Sequence, residues 1–212
     1  MDSTIAIDIA LEPDTTMVQR AQADNDRLLR AFPKGFALDA THHAHVSVLQ
    51  RYVRTAELES IYDAASNVMR DENPLRWKLE AFKYYYIPDP PIGLAGIVVR
   101  STPELLALQQ KLIDAVAPFT VRTGSAAAFF TTPDELEINQ PTIDYIAAFV
   151  PEATGAHFNP HVTIGVGTVD YLDKLLAEPF NDFTFSPAGA SVYQLGNYGT
   201  ARKALKVLDL KP

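Results

Sequence analysis

One short pattern occurs twice in this chain and constrains it more than any other feature. The segments Thr41-His42-His43-Ala44-His45-Val46-Ser47-Val48-Leu49 and His157-Phe158-Asn159-Pro160-His161-Val162-Thr163-Ile164-Gly165 each place a histidine two positions before a hydroxyl residue. β-Branched residues stand between and after them, as His45-Val46-Ser47-Val48 and His161-Val162-Thr163-Ile164. Side chains two apart on a strand share a face. Each segment, read as a strand, therefore presents an imidazole and a hydroxyl on a wet face and packs valine or isoleucine on a dry one. All 5 histidines of the chain lie in these two segments.

The remaining periodicities surround these strands with a mixed architecture. Ile5, Ile7, Ile9 and Leu11 alternate with Ala6, Asp8 and Ala10, the period of a half-buried strand, and Pro13-Asp14 stops it before a helical stretch from about Thr15 to Phe32. After the Pro33-Lys34-Gly35 turn comes the strand around Val46 and Val48, then helical spacing from Ala56 to Met69. Trp77 to Ile87 reads as a long strand closed by the rigid Pro88-Asp89-Pro90-Pro91 loop, and Leu94 to Val99 as another. Pro103 opens a helix over Glu104 to Val116. In the second half, Phe119 to Phe130 is β-like, Pro141 to Phe149 helical, His161 to Val166 a strand and Tyr171 to Ala177 helical; Phe180 to Phe185, Ala190 to Leu195 and Ala204 to Leu210 are strand candidates. No Gly-, Ser- or charge-rich linker divides the halves. The expectation is one α+β domain over residues 1–212 with two closely packed lobes.

Composition narrows the function. A net charge of −8 disfavours a dedicated binder of long nucleic acid, whose affinity rests on neutralising phosphates with Lys and Arg. DNA is accordingly not an expected partner, and a small or short anionic substrate is. The absence of cysteine removes disulfides, thiol nucleophiles and Cys-based zinc sites. No apolar run approaches a membrane span, and the first residues lack a basic region followed by an apolar one. The chain as written reads as cytoplasmic, with a removed signal peptide outside what it records, and as a monomer.

A pair of imidazoles suits phosphoester chemistry. One neutral ring takes the proton from an attacking water or 2′-hydroxyl while the protonated partner gives one to the leaving oxygen. The ordinary histidine pKa of about 6.5 lets both forms coexist, which places both limbs of a bell-shaped pH profile near neutrality. Ser47 and Thr163 can donate to the non-bridging phosphate oxygens. A single His-x-Ser arises easily by chance; two copies holding every histidine do not. The competing reading is a metal site, since His43 and His45 share a strand face. Zinc takes three protein ligands as a rule, and only Asp39 and Glu152 stand at the margins of the clusters. No metal and no cofactor is expected.

On these residues the sequence resembles the two-histidine (2H) phosphoesterase superfamily, in its bacterial 2′-5′ RNA ligase-like (LigT-like) branch, whose mark is two His-x-Ser/Thr motifs on related strands of two pseudo-symmetric lobes. The tracts from Pro33 to His42 and from Tyr193 to Ala201 are similar to those of bacterial members. The resemblance implies antiparallel sheets with helices on their outer faces and a central cleft. It also implies His45 and His161 as the catalytic pair, with Ser47 and Thr163 as phosphate-holding hydroxyls. The motifs stand 116 positions apart (161 minus 45), longer than in compact members, so insertions such as Phe129 to Pro141 are expected to reshape the cleft. There is no Gly-x-x-x-x-Gly-Lys-Ser/Thr loop, so any joining activity would be the reverse of cyclic phosphate opening.

The leading expectation is a metal-independent phosphodiesterase acting on a 2′,3′-cyclic or 2′-5′ linked nucleotide. The alternatives are an RNA end-processing or 2′-5′ ligase-type enzyme on tRNA-sized RNA, marked by a basic rim, and a nucleotide-binding module without turnover. Further substrate contacts are weaker candidates. If Trp77, Leu79 and Ala81 face the core, then Phe82, Tyr84 and Tyr86 line the cleft, where a ring stacks on a base. Tyr193 and His43 are placed near the pair by the same reasoning, and Arg202 is a candidate for a terminal phosphate.

Overall fold

The computed structural model describes residues 3–133 and 135–210. Among these, nine strands and five α-helices alternate along the chain. The strands are β1 (Thr4–Pro13), β2 (Val46–Arg54), β3 (Leu79–Asp89), β4 (Ile92–Val99), β5 (Thr120–Val121), β6 (His161–Thr168), β7 (Phe183–Phe185), β8 (Pro187–Leu195) and β9 (Ala201–Val207). The helices are α1 (Thr15–Ala31), α2 (Leu58–Glu72), α3 (Pro103–Val116), α4 (Gln140–Ala153) and α5 (Val169–Ala177).

The strands run in the order β7-β3-β4-β6-β2-β1-β8-β9, every pair antiparallel. This is four strands on each side of a seam between β6 and β2. The two lobes expected from the sequence are therefore the two halves of one curled sheet. At the seam, β2 and β6 pair at a single position, Val46 with Val162. Each strand is held firmly on its other edge, β2 by β1 and β6 by β4. The far end of β2 pairs instead with β5.

One apolar core runs beneath both halves, taking Ile5, Ile7, Ile9 and Leu11 from β1, Val46 and Val48 from β2, and Val162 and Ile164 from β6. α1 begins at an N-cap in which the Asp14 carboxylate accepts from the amides of Thr16 and Met17. It buries Met17, Ala21 and Leu28. Asn25, also buried, secures β6: its amide nitrogen donates to the carbonyls of Ile164 and Phe36, and its oxygen accepts from the Leu38 amide. Ile164 precedes Gly165, whose φ of 130° is glycine-favouring, and a Cβ there would lie 2.8 Å from the Asn25 amide. The register of β6 against β4 shifts here, so that Thr163 and Val166 both face the cleft. Replacing Asn25 with alanine strands three backbone groups, each costing about 1–3 kcal/mol when buried. A loss of roughly 3 kcal/mol is expected, measured as a lowered denaturation midpoint at unchanged m-value.

Two expectations need correction. Phe119 to Phe130 is not a strand beyond Thr120–Val121: Phe119 ends a 3-10 turn, Gly124 interrupts the pattern and the small residues Ala126–Ala128 form another 3-10 turn. A side chain at Gly124 would collide with the Tyr52 ring, 2.3 Å from an ideal Cβ. Nor do all helices lie on the outer face. α4 packs on β2 from the inner side, where Ile146 joins Tyr52, Phe129, Ala6 and Leu195 in a second apolar cluster.

Candidate active site

The seam pairing fixes the geometry of the two motifs. With Val46 opposite Val162 in antiparallel strands, His45 lies across from Thr163 and Ser47 across from His161. All four side chains line one cavity of about 500 Å³. The valines point the other way, into the core. The same local device orients both rings: Nδ1 of His45 is 2.7 Å from the carbonyl oxygen of His43, and Nδ1 of His161 is 2.8 Å from that of Asn159. A carbonyl at that distance requires a hydrogen on Nδ1, so each ring presents Nε2 as its working nitrogen.

The surroundings of the two Nε2 atoms differ. His45 Nε2 is 3.3 Å from the carboxylate of Asp8, which is wholly buried on β1. Burial alone would push the His45 ring down, but the hydrogen-bonding and charge of Asp8 outweigh it and hold the imidazole above its ordinary value of 6.5. His161 has no carboxylate at such a distance among the described residues. Burial, followed by the repulsion of His45, lowers it to about 4, against the opposing Asn159 hydrogen bond and the charge of Asp8. Two histidines of like sequence are thus driven apart, one toward the cation and one toward the neutral form.

Asp8 was not among the residues expected here. Its signal was present: it is the one charge inside the apolar run Ile5 to Leu11, on the face otherwise occupied by Ala6 and Ala10. Its Oδ2 accepts from the Ser47 hydroxyl at 2.5 Å and from Gln50 Nε2 at 3.1 Å. Gln50 also donates to Ser47 Oγ at 3.1 Å. The Ser47 proton is therefore engaged by Asp8.

The β3 tyrosines lie on the opposite faces from those expected. β3 pairs Ala81 with Val99 but Lys83 with Val98, so Phe82 is an extra residue and the strand reverses its faces from there on. Tyr84 is buried on the α1 side, where its hydroxyl donates to Asp24 at 2.9 Å and accepts from Arg20 at 2.6 Å. Tyr86 donates to Asp173 of α5 at 2.7 Å. Neither lines the cavity. Tyr85 does, with its ring 4.8 Å from that of His161 and edge-on to it. Gly96 on β4 admits this ring, since an added Cβ would stand 2.6 Å from Tyr85 Cε1. Burial raises the Tyr85 phenol well above its usual value, so it stays neutral.

His43 and Tyr193 lie beside His45 but line a neighbouring recess. Their rings stand 5.1 Å apart, and the Tyr193 hydroxyl donates to Glu12 at 2.7 Å. Arg202 is buried away from the cavity, paired with Glu135 and lying over the Phe130 ring. His42 stacks on Phe36 at 4.6 Å and is lowered to about 4 by burial and the neighbouring Arg202. Among the described residues, no group of three or more His, Asp or Glu is arranged to hold a metal ion.

The far walls of the cavity come from the β3–β4 hairpin, through Ile87, Ile92 and Leu94, and from α4, through Thr142, Tyr145 and Phe149. His157, Phe158, Asn159 and Tyr198 are also among its lining residues. No Lys or Arg is among the lining residues; Asp89 is among them. The Tyr145 phenol is pushed up to about 12 by burial and by the charge of Asp8.

Solved structures similar to this chain exist at low identity. The crystal structure of TT0787 of Thermus thermophilus superimposes with a TM-score of 0.56 and 15% identity, covering 98% of each chain. That of E. coli LigT complexed with NADP+ gives 0.46 and 12% identity over 97% of this chain and 99% of that one. The first likeness establishes a shared fold across the whole chain. No protein-family profile matches the sequence, and no curated protein matches it.

Proposed function

We propose that the chain is a 2H-type phosphodiesterase that opens a cyclic phosphodiester on a small nucleotide, with His161 as general base and His45 as general acid. The observation that carries this reading is the seam: one strand pairing brings two imidazoles and two hydroxyls to one cavity, with their environments separating the ring pKa values. Such a separation is what assigns acid and base in a titrating pair.

The chemistry balances without another reactant. His161 Nε2 takes a proton from water as its oxygen bonds to phosphorus. The bond from phosphorus to one ribose oxygen breaks, and that oxygen takes the Nε2 proton of His45. The product is a phosphomonoester, and the two rings return to their resting states by exchange with solvent. Thr163, whose hydroxyl lines the cavity, donates to a non-bridging oxygen as charge builds there. Every step is a proton transfer or a displacement that the pair supplies, so no metal enters the scheme.

The walls favour a small substrate with one negative charge. An RNA end or a nucleotide with a further phosphate brings charges that no lining Lys or Arg meets, and Asp89 repels them. Aromatic walls from Tyr145, Phe149 and Phe158 suit a base or another flat apolar group. The test is a comparison, in EDTA, of 2′,3′-cyclic nucleosides with the same compounds carrying a 5′-phosphate and with a short RNA ending in the cyclic phosphate. The expected order of kcat/KM puts the monoanion first by at least about tenfold, with rates equal with and without chelator. Preference for the RNA, or loss of activity in EDTA restored by zinc, contradicts this reading.

A further inference from the structure

Asp8 is difficult to explain as a structural residue. A buried carboxylate is costly unless paired, and its neighbours on the same strand face are alanines, which carry no such penalty. Its Oδ1 has no hydrogen-bond partner among the described residues. Its Oδ2 takes the Ser47 and Gln50 hydrogens, both from neutral groups. The one group within ion-pair distance of it, among the described residues, that can carry a positive charge is His45.

The ring of His45 is hydrogen-bonded to the His43 carbonyl at Nδ1 and has the Asp8 carboxylate within ion-pair distance of Nε2, 3.3 Å away. A neutral ring with its proton on Nδ1 would turn the Nε2 lone pair toward that negative charge. A doubly protonated ring answers it with a positive one and keeps an Nε2 proton at the edge of the cavity. His161 has the matching carbonyl at Nδ1 but an open cavity at Nε2, where a lone pair is free to accept. The duplicated motif is thus made unequal by a residue outside it.

We infer that Asp8 is a positioning residue that holds His45 as the proton-bearing member of the pair, and so sets the direction in which protons cross the cleft. The inference rests on the proposed His45/His161 chemistry. Other groups facing His45 do not supply this asymmetry. Tyr193 of β8 and Tyr145 of α4 are kept neutral by burial and by carboxylates beside or near them, and His43 and His161 oppose a charge on His45. Glu12 stands farther along the same strand and is taken up by Ser191 and Tyr193.

The experiment is an NMR titration of the imidazole nitrogens in ¹⁵N-histidine-labelled protein, wild type beside Asp8→Asn and Glu12→Gln, with kcat/KM against pH measured on the same samples. At pH 6 the wild type is expected to show His45 with both nitrogens protonated and His161 as the neutral Nδ1–H form. In Asp8→Asn the His45 midpoint and the alkaline limb of kcat/KM fall together by about 1–2 pH units, while Glu12→Gln leaves the midpoint in place. A uniform loss of rate with an unmoved midpoint makes Asp8 merely structural and overturns the inference. So does a neutral His45 at pH 6 in the wild type, a result that needs no variant to fold. A midpoint that shifts in a protein turning over no cyclic phosphodiester upholds the positioning role and removes the proposed reaction instead.

Discussion

Alanine at either histidine is expected to lower kcat/KM on a cyclic nucleotide by about 10²–10⁴, and the two losses are expected to differ in kind. His45, as the acid, protonates a poor leaving group, an alkoxide of ribose. A substrate that leaves as a stabilised phenolate, such as a nucleoside p-nitrophenyl phosphodiester, needs no proton. His45→Ala should therefore recover most of its rate on the aryl substrate, whereas His161→Ala, lacking the base that activates water, should stay impaired on both. The double variant should be little worse than the worse single one, because the two groups act in one transition state. Equal rescue of both variants, or of neither, contradicts the assigned roles. Neither ring carries the β2–β6 pairing, but His45→Ala leaves the buried Asp8 carboxylate without its cation; that variant is expected to lose stability where His161→Ala does not, and the rates are compared on samples shown to be folded.

The second large effect is the breadth and position of the pH profile. The base must be neutral, so activity rises as pH rises through the His161 value of about 4. The acid must be charged, so activity falls as pH rises through the His45 value, which lies above 6.5. The result is a plateau across the mildly acidic range, with limbs spaced widely apart, where two unperturbed histidines would give a narrow bell centred near neutrality. Because the two rings repel one another, the limbs belong to the pair as a whole. Measurement of kcat/KM from about pH 3.5 to about pH 9 on the monoanionic substrate checks this. A narrow bell centred near the unperturbed value of about 6.5 would show that Asp8 and burial do not separate the pair.

That difference marks how far the residues alone could be read. Period-two alternation around Ile5–Leu11, Val46–Val48 and His161–Val166 located strands that are present, and Pro13-Asp14 and Pro103 marked the starts of α1 and α3. The His-x-Ser/Thr echo placed all four polar groups on one face because the period of a strand is two, and nothing interrupts it between His45 and Ser47 or between His161 and Thr163. On β3 the same rule failed. A bulge at Phe82 adds one residue, and from there Tyr85 takes the face that alternation assigned to Tyr84 and Tyr86. Bulges have no fixed composition, so no residue at Ala81–Lys83 announces one.

The charge environment was less legible still. The duplicated motifs read as equivalent, and their inequality comes from β1, whose Asp8 reaches His45 only because β1 pairs with β2 in that register. Arg202 read as a candidate for holding a terminal phosphate, but it is buried against Glu135 and Phe130. The cavity walls from α4 follow directly on the stretch expected to reshape the cleft, and they close its inner face with Tyr145 and Phe149 rather than with cations. The likeness to TT0787 is one of overall fold, and these side chains are to be tested directly.

The most direct test of the pair is hydrolysis of a 2′,3′-cyclic nucleoside phosphate followed by ³¹P NMR, wild type beside the His45→Ala/His161→Ala double variant from parallel preparations. The expected result is conversion of the cyclic signal to a phosphomonoester by the wild type and none above background by the double variant. Conversion at equal rates by both proteins would place the chemistry elsewhere and contradict the assignment of His45 and His161.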